Sequence, residues 1–227
     1  MRTTTLILGL VGLLGLAACG SDDTAVAAGA GTRVDLAQVA EQCVSPGGGQ
    51  PGIAVVSTEL RDANTTVDLP GCIIHLEAGA DVHLNNVTIT GGLLNIHDRD
   101  TDPSSNNVRL QKVTVDSAGL LIELNDADDT FQAEASDLTT TGGIHIRVAD
   151  PDANAGGDIR LVASKLLATD TDAPVVVAAS EHSGVIRLVN TSVDTRGPLT
   201  ILAADCEARL AGEKLDCSTE ALVADIE

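Results

Sequence analysis

The chain has no tryptophan, no tyrosine and one phenylalanine, Phe131. Aromatic rings are the usual platforms on which sugars and bases stack. Their absence weakens readings as a carbohydrate-active enzyme or a nucleic-acid binder, and it makes the core aliphatic. Positive charge is scarce too: 13 Lys+Arg stand against 33 Asp+Glu, for a net charge of −20. Such a field repels phosphate backbones and anionic headgroups, so no nucleic-acid partner is expected. No CxxC, HxH, HExxH or G-x-S-x-G pattern occurs, and His75, His83, His97, His145 and His182 are scattered singly. The common sequence signs of zinc sites and serine hydrolases are therefore missing, and no catalytic residue can be named. No apolar run reaches the roughly 20 residues that a spanning helix needs.

What is present begins at the N-terminus. Arg2 is followed by an apolar run from Leu6 to Leu16 and then by Leu16-Ala17-Ala18-Cys19-Gly20, the layout of an export signal. Leu-Ala-Ala-Cys resembles the bacterial lipobox. That resemblance implies cleavage before Cys19, diacylglyceryl transfer to its thiol, acylation of the new amino group, and membrane attachment through this lipid. Several acyl chains on one residue make anchoring stable, at about 0.8 kcal/mol per buried methylene. Gly20 after the cysteine resembles outer-membrane lipoproteins more than those retained at the inner membrane by aspartate. The expected organisation is a signal peptide over 1–18, a flexible tether over 19–31, an N-terminal cap over 32–52, a repeat domain over 53–215 and a C-terminal cap or tail over 216–227.

Lipidation of Cys19 leaves Cys43, Cys72, Cys206 and Cys217, an even number that fits an oxidising compartment. Three pairings are possible. Clustering at the two ends favours Cys43–Cys72 and Cys206–Cys217. In the cap, Val34, Val39, Ala40 and Cys43 fall at helical spacing, and Asp35 with Gln38 forms a capping box. SPGGGQPG then ends the helix.

The rest of the chain repeats. Segments aligned on Val87, Val113, Leu138, Leu166 and Val193 recur every 25–28 residues. Each unit carries three short runs of alternating apolar and polar residues. The second run holds Leu94/Ile96, Leu120/Ile122, Ile144/Ile146, Val175/Val177 and Leu199/Ile201; the third holds Val82/Leu84, Val108/Leu110, Phe131/Ala133, Ile159/Leu161 and Ile186/Leu188, with Ala208/Leu210 extending it. Period-two alternation puts one set inside and its neighbours outside. Such short strands bury a common aliphatic column only when units stack. The pattern resembles the right-handed parallel β-helix of pectin-lyase-like domains, and implies an all-β solenoid of about five to six coils behind a short N-terminal helix.

In such a solenoid, outward residues line up as rows. The third run offers His83, Arg109, Gln132, Arg160, Arg187 and Arg209. Guanidinium forks along a rigid face suit the carboxylates of an acidic polysaccharide or of an envelope protein, and this row is the candidate polyanion-binding ladder. The turns carry Asp98, Asp100, Asp102, Asp126, Asp128, Asp150 and Asp152, hard oxygen ligands of the kind calcium prefers. No cofactor is required, and calcium is the one that these loops admit. Pectate lyases use calcium and an arginine base, but none of their motifs can be quoted from this sequence. The functional expectation is a lipid-anchored cell-envelope module that binds or supports without catalysis; the alternative is a polysaccharide lyase- or hydrolase-like enzyme acting on an acidic glycan.

Overall fold

The computed structural model describes residues 33–44, 51–98, 104–150, 155–210 and 213–215. The signal peptide, Cys19, the whole tether, the C-terminal cap or tail with Cys217, and Asp100, Asp102 and Asp152 lie outside the described residues. The chain winds as an all-β parallel solenoid of about six turns with one short helix near its N-terminus. Strands of the third run pair in one sheet, and those of the first and second runs share the other. In two coils the first and second runs fuse into single strands, Thr88–Asp98 and Thr114–Leu124. Among the described strand-to-strand pairings only the last, Asp205–Leu210 with Glu213–Leu215, is antiparallel.

Alternation builds the core as columns. Ile74, Ile96, Ile122, Ile146, Val177 and Ile201 stack rung on rung from the second run. Leu60, Val82, Val108, Phe131, Ile159 and Ile186 do so from the third. All are buried, and Phe131 is the largest fully buried side chain. At roughly 1.5–3 kcal/mol for each large aliphatic side chain removed from water, these columns supply the main drive for stacking.

A left-handed residue turns each coil from the third run into the first: Asn64, Asn86, Lys112, Ala135, Ala163 and Asn190 all have φ between 48° and 59°. Asn86, Lys112 and Ala135 donate their N–H to the carbonyls of Gln111, Glu134 and Val162, each in the following coil. Immediately after this corner the inward ladder reads Val87, Val113, Ser136, Ser164 and Thr191. Leu138 therefore stacks on Val115, and not on Val113 as the hydrophobic alignment expects. The buried residue at the corner is a serine whose hydroxyl bonds backbone: Val113 N–H donates to Ser136 Oγ at 3.1 Å, and Ser136 N–H donates to Ser164 Oγ at 3.2 Å. The sequence alignment slides by two residues from the third unit onward because it seeks an apolar match there.

Helix Leu36–Gln42 closes the N-terminal end, burying Leu36 and Val39. Its start is fixed by the expected capping box between Asp35 and Gln38 and by Leu36 N–H donating to Asp62 Oδ2 at 3.1 Å. Its end is joined to strand Cys72–Leu76 by the Cys43–Cys72 disulfide. Strand Gly52–Val56 passes so near this junction that a methyl group at Gly52 would collide with the Cys43 carbonyl. Cys206 is also in a disulfide.

Candidate functional site

Two features carry polar chemistry: the basic row on the outer face of the third-run sheet, and the corner between the second and third runs. The basic row runs Arg61, His83, Arg109, Gln132, Arg160, Arg187 and Glu207. Arg209 is not on it. Cys206 occupies the rung above Ile186, so Glu207 follows Arg187 and Arg209 lies two residues further along. Arg61 extends the row at the other end; the signal for it was Leu60, which stacks on Val82.

Neighbouring acids divide the row. Glu59 lies 3.6 Å from Arg61 and 3.5 Å from His83, and Asp158 lies 3.5 Å from Arg187. Arg109 and Arg160 are exposed and make no ion pair among the described residues. They stand two rungs apart, about 10 Å at the usual strand spacing, and flank Gln132 in a shallow depression of about 260 Å³ that Glu134 also lines. Two exposed guanidinium groups at this separation can each take one anionic group from a repeating chain.

The corner is built differently. Alternation along Thr88–Asp98 faces Leu94, Ile96 and Asp98 inward, and the same phase carries from Ile122 and Leu124 to Asp126. Asp129 and Asn106 stand two residues before the inward Phe131 and Val108, and they face inward as well. Asp98 and Asn106 are fully buried, Asp129 is 1% exposed and Asp126 8%. Carboxylate oxygens of Asp98, Asp126 and Asp129 lie within 4.8 Å of one another. At an effective dielectric of about 20, unit charges at that distance repel by roughly 3 kcal/mol per pair.

Asp129 holds the corner together by accepting two backbone hydrogen bonds, from Asn106 N–H on Oδ1 at 2.7 Å and from Asp126 N–H on Oδ2 at 2.9 Å. Burial nevertheless pushes its carboxyl up from 3.8 to about 7. The two backbone donors oppose that rise, and the negative charges of Asp98 and Asp126 add to it. Nδ2 and Oδ1 of Asn106 make no hydrogen bond.

Of the expected calcium loops, the corner thus gathers Asp98 and Asp126. Asp128 is exposed, and Asp150 sits in an antiparallel bridge to Ala155 and is not one of the three converging carboxylates. Asp129 and Asn106 escaped the sequence reading, although counting back by twos from Phe131 and Val108 points to both. Scans against protein-family models, curated proteins and solved structures return no match to this chain.

Proposed function

We propose that this chain is a non-enzymatic binding module of the cell envelope. In this reading it is held to a membrane, the outer one in a Gram-negative host, by lipid on Cys19. Its solenoid is of the pectin-lyase-like kind, and the third-run sheet face docks an acidic polysaccharide. The observation that carries the reading is the contrast within the basic row. Arg187 and Arg61 lie within ion-pair distance of an acid, whereas Arg109 and Arg160 flank a shallow depression and make no ion pair among the described residues, in a chain whose net charge is −20. A flat, register-matched sheet also suits a repeating polymer better than a compact ligand. The enzyme alternative would place a perturbed acid on an open surface. Asp129, an acid whose pKa is raised, faces the interior.

The test is retention of the purified chain on an immobilised polyuronate at low salt. Arg109→Ala/Arg160→Ala is expected to elute in the void, and Arg187→Ala to elute as the parent does. A parent that is not retained, or a double variant that still is, removes the docking role. Mass spectrometry of the mature protein tests the lipid on Cys19 and a Cys206–Cys217 bond.

A further inference from the structure

The corner acids are not explained by docking on the opposite, solvent-facing side of the wall, nor by packing. Asp98 sits in a column otherwise held by Val56, Leu76, Leu124, Val148 and Ala179, where a carboxylate adds nothing to an aliphatic stack. We propose that Asp98, Asp126, Asp129 and the side-chain oxygen of Asn106 form a buried calcium site that clamps two successive coils.

Three observations carry this. First, the three carboxylates come from two successive coils yet offer oxygens within 4.8 Å of one another. Asp98 ends a strand in one coil, while Asp126 and Asp129 bracket the turn of the next. Second, Asn106 is fully buried with neither polar atom of its amide hydrogen-bonded. It is the rung next to Asp129, since Asn107 pairs with Thr130, and it faces inward in the same phase. Its amide is therefore aimed into the cluster. A buried amide without a partner is costly, and an ion among these groups would satisfy its oxygen. Third, every donor is a hard oxygen, with no sulfur or imidazole in the set, and calcium accepts such ligands in flexible geometry. Magnesium keeps several waters and needs near-ideal octahedral geometry, which a corner this enclosed does not provide. The raised pKa of Asp129 is consistent with three carboxyls that need a counter-charge.

The experiment uses the full-length chain in detergent, stripped with EDTA and followed by differential scanning and titration calorimetry. Lacking tryptophan and tyrosine, the chain has no convenient intrinsic fluorescence for this purpose. Calcium is expected to bind at about one ion per chain, with affinity in the 0.1–1 mM range of extracellular modules. It should raise the melting temperature as its concentration passes that range, and magnesium should do so far less. Asp98→Leu supplies the residue that the neighbouring coils use. It is expected to melt at or above the parent in EDTA and to lose the calcium response. The isosteric Asp98→Asn carries the same test should leucine not be accommodated, with calcium affinity reduced at least tenfold. No calcium-dependent heat or melting shift in the parent overturns the site, as does a full shift retained in both variants. An equal response to magnesium overturns the calcium assignment.

Discussion

Leu76 and Asp98 are rung partners in one parallel ladder, and both side chains point into the solenoid with no solvent exposure. An aliphatic group and a carboxyl thus occupy equivalent places one coil apart. A leucine at the Asp98 rung would contribute about 2 kcal/mol of apolar burial. Burying a carboxylate there carries a desolvation cost of several kcal/mol instead. The corner around Asp98 is where the column gives up packing for polar chemistry, and its response to pH follows from that.

In metal-free protein, Asp129 keeps its proton in the folded state up to about pH 7, whereas its ordinary value is 3.8. Between those values the folded chain binds more protons than the unfolded chain at this group. Its contribution to stability is full below about pH 4 and is lost as pH rises through 7. Thermal melts in EDTA should therefore show Asp129→Asn losing less stability than the parent between about pH 5 and pH 8. Parallel pH profiles for the two proteins would contradict this.

The serine ladder gives a sharper structural prediction. Ser164 Oγ accepts from Ser136 N–H, and its single O–H has two carbonyl acceptors within reach, Ala133 at 3.2 Å and Val162 at 3.0 Å. Ser164→Ala strands a buried N–H. It should cost about 1–3 kcal/mol, read as a lower urea midpoint at unchanged slope. An exposed control such as Thr114→Ala should stay within about 0.5 kcal/mol of the parent.

Ala135 and Ala163 hold the left-handed corner at φ 49° and 48°, where a β-carbon is strained and glycine is not. Ala135→Gly and Ala163→Gly should each stabilise by about 0.5–1 kcal/mol, and the pair should depart from additivity because Ala135 N–H bonds the Val162 carbonyl beside Ala163. Loss of stability in both would mean that these methyl groups pack usefully.

Cys43 and Cys72 close a loop with a sequence separation of 29. In the chain-entropy account a loop of that size is worth about 3–4 kcal/mol. Cys43→Ser/Cys72→Ser should lower the denaturation midpoint accordingly. Helix Leu36–Gln42 is expected to gain amide exchange before the central coils do, since it is held at its end by that bond.

Much of this architecture is legible from residues alone. Alternation in Leu94/Ile96 and Val82/Leu84 assigns inside and outside correctly along both runs, because side-chain phase is a local property of a strand. The capping box at Asp35 and Gln38 and the Cys43–Cys72 pair are likewise local or set by clustering. The stacking register is not. Leu138 against Val113, and Ala208 against Ile186, match in hydrophobicity and phase, yet both are two residues out. That slip wrongly set Arg209 on the basic row, while Arg61 escapes a reading that follows the third run only from Val82 onward.

The sequence by itself determined an aliphatic, period-two, repeating chain of strongly acidic composition. Tertiary structure decided which rung meets which. A shift of two preserves every inward and outward assignment, so only corner geometry can choose: a left-handed residue bonded to the next coil and a hydroxyl in place of an apolar side chain. The same holds for the acids. Asp98 and Asp129 are some thirty positions apart along the chain, and winding once around the solenoid brings their carboxyls together.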